Sequence, residues 1–309
     1  MQYRLFFLFT VWSMIFCIVV RAQNNQFTIT SDNDSYFSIN NDGYYTNGIK
    51  LGYQWRISKP QKKKTTRINI VEAGQNIYTA RFSGEAREEK LDRPIAGYLY
   101  ARFGQTLYNE KEDLLRWGIT GGLVGPSSRG AQLQKLVHKF LNIYEPTYWD
   151  RQIREAWGAN ADVTWSPQIG NSASSKWNFK PVLTATGGTL AAHAGAGAAL
   201  LFGKFNKNSS SAFWNNYKAT GKRQSEFFGF IHPMVYGKAY DATVQGGMFN
   251  KATEAIEGKL NPLFFQGQLG GVYANNRLSI SVIAIYENKQ SLTQTAPQYY
   301  GRVQFGWIW

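Results

Sequence analysis

The sequence predicts an all-β fold, a single antiparallel transmembrane β-barrel of about twelve strands. Three observations carry this. The only long apolar run lies at the extreme N-terminus. The rest is rich in aromatics and glycine (10 Trp, 18 Tyr, 20 Phe, 30 Gly) with only 17% charged residues. Short segments then alternate apolar and polar residues, the period of a strand with one face in lipid and the other in a lumen.

The N-terminus reads as a secretion signal spanning 1–22. Arg4 supplies the positive start, Leu5 to Val20 the apolar stretch and Ala22 the small residue at the cleavage point. The stretch is 16 residues long, short of the roughly 20 that a spanning helix needs. The mature chain then covers 23–309 as one domain. Cys17, the only cysteine, leaves with the signal, so the mature chain has neither disulfide nor thiolate metal site. The formal charge is +14, or +12 without Arg4 and Arg21. Such a surplus favours anionic partners. In an exported barrel these are membrane lipids rather than nucleic acid.

The last strand shows the period best. Val303, Phe305, Trp307 and Trp309 alternate with Arg302, Gln304 and Gly306. Leu278, Ile280, Val282, Ala284 and Tyr286 repeat the pattern, as do Leu99, Ala101 and Phe103. Strands are expected near 26–34, 44–57, 67–78, 95–108, 113–124, 154–166, 176–187, 194–205, 225–238, 262–274, 277–287 and 299–309. Pro181 marks a bulge or weak pairing in the seventh. An even count puts both termini at the periplasmic end. Segments 35–43, 79–94, 125–153, 188–193, 239–261 and 288–298 then face outward. At the other end, 206–224 is long for a periplasmic turn. Within 125–153, Leu133, Leu136, Val137, Phe140 and Leu141 recur at helical spacing. They predict a short helix over 130–141, with Gln134 and His138 on one flank.

Residues 31–48 hold three Asp and four Asn with no Lys, Arg or Glu. Asp42-Gly43 suits a tight turn. Asp32-Asn33-Asp34, directly after a strand, is open to two readings. It is turn chemistry, or it is an oxygen-rich site for Ca²⁺, which accepts carboxylate and amide oxygens together. The mature chain has three histidines. His193 and His232 sit in strand-like sequence and read as packed structural residues. His138 sits on the loop helix, with a polar neighbour one turn away, and is the candidate for proton transfer. Ser127 and Ser128 invite a serine-nucleophile reading, without a nucleophile-elbow motif.

Taken in order, several short motifs form a specific set: Asp32-Asn33-Asp34, Tyr45-Thr46-x-Gly48, Gln75-x-Ile77-Tyr78-Thr79, Asp92-Arg93-Pro94-x-Ala96-Gly97, Gly122-x-Val124-Gly125-Pro126, Gln134-x-x-x-His138, Trp149-x-x-Gln152-Ile153, Gly187-Gly188 and Gln245-Gly246. On these the chain resembles the LpxR-type lipid A deacylases of the outer membrane. The resemblance implies a Ca²⁺-dependent hydrolase of the 3′-linked acyloxyacyl ester of lipid A. It implies His138 as the base that activates water, with Asn33, Thr46 and Gln134 beside it. Asp34 and Asp32 would supply metal ligands. The family's acidic residue after the histidine would fall near Tyr144, with Glu145 as the adjacent carboxylate. Arg81, Arg87, Lys90 and Arg93 are candidates for a lipid phosphate. The expected setting is a monomer in the outer membrane acting on lipopolysaccharide. The rival readings are a passive pore or structural barrel, a ligand-binding barrel, and a phospholipase-like esterase using Ser127 as nucleophile.

Overall fold

The computed structural model describes residues 25–36, 43–57, 65–81, 91–142, 146, 148–170, 176–216, 225–249 and 257–309. The expected signal, 1–22, lies outside them. Twelve strands close into one antiparallel barrel, each paired with its neighbours in sequence and β1 with β12. They are β1 (Asn25–Asn33), β2 (Tyr44–Ile57), β3 (Thr66–Thr79), β4 (Ala96–Tyr108), β5 (Leu114–Val124), β6 (Ala156–Ser166), β7 (Trp177–Gly188), β8 (Ala191–Lys204), β9 (Glu226–Asp241), β10 (Leu263–Ala274), β11 (Leu278–Glu287) and β12 (Gln298–Ile308). Helix α1 spans Gly130–Leu141 and the short α2 spans Ala242–Gln245. At the seam, Asn25 and Trp309 exchange backbone hydrogen bonds of 3.0 and 3.1 Å. The start of β1 and the end of β12 therefore lie at one end of the barrel, and α1 lies at the other.

Alternation sets the two faces. Phe27, Ile29, Leu51, Phe103, Val282 and Phe305 are exposed on the outer wall, where a bilayer would cover them. No helix among the described residues is long and apolar enough to cross a membrane. The strands do the crossing. The connection expected at 188–193 shrinks, because Ala191 and Ala192 pair with Asp241 and Tyr240 before a bulge at His193. Those alanines carry no alternation to read. Beside Pro181 the β6–β7 ladder stops at Trp165↔Leu183, so the proline lies past the paired rungs of that side.

The long periplasmic segment has a physical explanation. Residues 206–216 fold into the lumen. Glu226 accepts from the backbone N–H groups of Asn206 and Ala212, both at 2.7 Å. Glu112 accepts from the Ser209 N–H at 2.7 Å and its hydroxyl at 3.0 Å. The segment carries Phe213 and Trp214 into apolar clusters with Phe230, Leu201, Leu114 and Met234. His232 faces Phe213 at 6.0 Å, and His193 faces Tyr236 at 5.8 Å. Among the described residues this segment plugs the barrel interior where it packs.

Candidate active site

Cross-strand partners share a face of the sheet. One row of partners runs Leu269, Ala284, Gly301, Asn33, Asn47, Ile77, Gly97, from β10 through β12 and β1 to β4. Leu269 is 56% exposed, which places the whole row on the outer wall. Yet Ile77 and Gly97 are buried, because the segment after β5 lies over them from outside.

Glycine makes that contact possible. A Cβ on Gly97 would come 2.2 Å from Ser128 Oγ and 3.0 Å from Gly130 Cα. The start of α1 therefore sits backbone-to-backbone on β4. Gln75, on β3, donates to the Ser128 carbonyl. Arg129 takes φ 60° before the helix, and Asn142 ends it at φ 55°, a conformation asparagine tolerates.

The helix turns Gln134 and His138 to the wall, with Ala131 and Leu133 packed beside Ile77, Ile95 and Trp149. Gly130, Gln134 and His138 recur every fourth residue and are buried against the wall. Leu136 is 65% exposed and Phe140 86%. Trp149 joins helix to wall. Its ring packs in a cluster with Ile77 and Ile95, and its Nε1 donates to Gln134 Oε1 at 2.7 Å.

Thr46 is the extra residue of a β2 bulge between Tyr45 and Asn47, a device that re-aims a side chain. Its hydroxyl meets Thr79 Oγ1 at 2.7 Å. Thr79 is two residues past Ile77 and so shares its outward face. Asn33, also outward, accepts from the Ser35 N–H at 2.7 Å. A 3₁₀ turn, Asp34–Tyr36, then carries the chain over the wall. Tyr36 and outward Ser31 share a hydrogen bond of 2.7 Å. Buried Asp34 accepts from the Gly43 N–H at 2.9 Å.

Asp32 corrects an expectation. It precedes Asn33 by one residue and so faces the lumen. Arg302 donates to it at 2.7 and 2.9 Å, Lys50 at 3.0 Å and the Tyr45 hydroxyl at 2.8 Å. Fully buried and held by two cations, Asp32 centres an internal ion-pair network on the opposite face from Asn33. A shared metal role with Asp34 does not fit. Arg93 is likewise internal. It is fully buried over the Tyr78 ring at 4.3 Å and donates to Gln290 at 2.9 Å and Thr243 at 3.2 Å. Burial pulls its pKa below the ordinary value, while Tyr78, Asp241 and Glu287 push it back up. It has no exposed surface for a lipid phosphate. Glu145, Tyr144, Arg87 and Lys90 lie outside the described residues.

The serine-nucleophile arrangement does not fit the helix. His138 stands eight residues beyond Gly130, about 12 Å along the axis, and Ser127 precedes Gly130. A nucleophile and its base need roughly 3 Å. Ser127 is exposed, and its N–H donates to Glu155 at 2.9 Å. For a hard cation the residues fit in kind. Asp34 offers a carboxylate and Asn33 an amide oxygen. Asn47, missed in the sequence, holds a buried amide oxygen with no hydrogen-bond partner in register with Asn33. The set is all oxygen. Among the described residues no three of His, Cys, Asp and Glu cluster.

The sequence profile of the family described as "Outer membrane protein LpxR" matches residues 6–309. The chain belongs to the LpxR family. Family members are outer-membrane barrels, and this chain takes that location. LpxR from Salmonella typhimurium has a similar solved structure, with a TM-score of 0.74 at 19% identity, covering 92% of this chain and 100% of that one. That likeness concerns the fold. The β-domain of the Bordetella autotransporter BrkA aligns at 8% identity over 93% of this chain and 98% of its own, with a TM-score of 0.46. No curated protein sequence matches the chain.

Proposed function

We propose that the protein is a Ca²⁺-dependent lipid A deacylase that hydrolyses the 3′-linked acyloxyacyl ester. One observation carries the reading: Asn33, Thr46, Gln134 and His138 lie on the outside of the wall, where a lipid ester can reach them. A soluble substrate would suit a lumenal site, and residues 206–216 plug the lumen. Leu136 and Phe140, turned away from the protein beside Lys135 and Lys139, set α1 at a lipid surface rich in anionic groups.

In this reading His138 takes a proton from water as the water oxygen attacks the ester carbonyl. The tetrahedral oxyanion receives hydrogen bonds from Thr46 and from the Gln134 amide N–H₂, whose carbonyl Trp149 already occupies. The intermediate collapses, the C–O bond to the sugar breaks, and His138 returns the proton to the departing alkoxide. The products are a fatty acid and a sugar hydroxyl. Asp34, Asn33 and Asn47 would hold the cation, which when bound polarises the ester carbonyl.

The test is mass spectrometry of lipid A from cells expressing wild type or His138→Ala, with and without EDTA. Loss of the acyloxyacyl mass only in wild type without EDTA is expected. An unchanged lipid A mass in wild type under every condition would overturn the reading.

A further inference from the structure

We propose that the outer wall over β9–β12 carries an acyl-chain subsite for the same lipid whose ester meets His138. The proposal rests on the hydrolase reading for its occupant, but it stands on a separate feature. An apolar groove of about 780 Å³ opens on this part of the barrel.

Register explains the groove. On β10, Phe265, Gly267 and Leu269 point outward. Gly267 pairs with Pro233 on β9 and with Tyr286 on β11, and Tyr286 pairs with Tyr299 on β12. Leu269 pairs with Ala284. Leu263, Val282 and Val303, outward elsewhere on these strands, carry larger side chains, although Gly237, Gly271 and Gly301 are outward too. At Gly267 and Ala284 the wall drops to backbone height, while Phe265, Tyr286 and Tyr299 stand as sides. Most of the outer wall is convex and touches hydrocarbon only at its surface. Here an alkyl chain would be enclosed on several sides, which raises its buried area and hence its affinity.

Two links tie the groove to the candidate site. Ala284, Gly301 and Asn33 are successive partners in one row, so the groove floor lies two strands from Asn33, about 10 Å. The groove's polar rim includes Gly43 and Arg81, and Gly43 donates its N–H to Asp34 at 2.9 Å. A lipid with several chains, its ester at His138, would lay a neighbouring chain along this floor with its head toward the polar rim. No soluble ligand suits an apolar groove on a lipid-facing wall.

The test compares Ala284→Phe, which fills the floor, with Val282→Phe. Val282 points outward on the same strand but does not line the groove. Purified proteins would be assayed on hexa-acylated lipid A in mixed micelles. Lipid retained by each protein would be measured separately by native mass spectrometry. Ala284→Phe should raise KM on the order of tenfold with kcat little changed, and should retain less lipid A. Val282→Phe should match wild type in both. Unchanged KM and retention in Ala284→Phe, or an equal loss in Val282→Phe, would overturn the subsite. If wild type retains lipid A, Ala284→Phe does not, and no variant hydrolyses it, the subsite stands and the hydrolase reading falls.

Discussion

Gly97→Ala tests whether the seating of α1 on the barrel wall sets the activity. The added Cβ would lie 2.2 Å from Ser128 Oγ, 3.0 Å from Gly130 Cα and 3.1 Å from Gly130 N. Ser128 cannot easily yield, because it is fully buried and its hydroxyl bonds the Gly125 carbonyl. Gly130 offers no slack either, because a single Cβ on it would meet both Gly97 Cα at 2.9 Å and the Trp149 ring at 3.0 Å. Carbon atoms pack best at about 3.5–4.0 Å, so the start of α1 must retreat by roughly half to one ångström. Overpacking of this kind costs about 1–3 kcal/mol. It would also move Gln134 and His138 with the helix, and a misplacement of about 1 Å can lower a rate on the order of a hundredfold. The assay is lipid A deacylation by purified protein, with folding followed by heat-shifted gel mobility. Gly121→Ala is the control, since a Cβ there meets nothing within 4 Å. Wild-type activity in Gly97→Ala, at unchanged stability, would refute the claim that this contact positions the base.

Three further outcomes are expected. Asp32→Ala strands Arg302 and Lys50 without their shared carboxylate and should destabilise the barrel by about 3–5 kcal/mol, read by urea unfolding in detergent. The folded fraction should keep its activity, and a stable but inactive Asp32→Ala would restore a catalytic or metal role. Replacing both Leu136 and Phe140 with Ser should weaken turnover in intact membranes several-fold while sparing turnover in micelles; equal effects in both would show that this face does not meet lipid. Because residues 206–216 carry Phe213 and Trp214 into the lumen as a plug, planar bilayers should record no steady conductance, and an open-channel current would overturn the plug.

Much of the fold was legible because a barrel strand writes its period directly into the chain. Strand count, order and the span of α1 follow from periods of two and 3.6 residues. The inward fold of 206–216 was not legible, because its anchors, Glu112 and Glu226, are set by distant strands. The orientation of α1 was also hidden. Its apolar residues signalled a helix, and apolar faces usually turn to protein. Here Leu136 and Phe140 turn away from the protein, and Gln134 and His138 share the wall side with Leu133.

The sequence by itself determined a twelve-strand barrel, a loop helix bearing Gln134 and His138, and an Asn/Asp-rich turn after β1. It named the right neighbourhoods because strand parity places loops at one end or the other. Only the tertiary structure decided what each side chain meets. Asp32 and Asn33 are adjacent in the chain but face lumen and lipid, since successive strand residues point opposite ways. What each side chain meets depends on closure of the whole sheet, which brings Asp32 to Arg302, 270 positions apart. No local pattern encodes a partner at that distance.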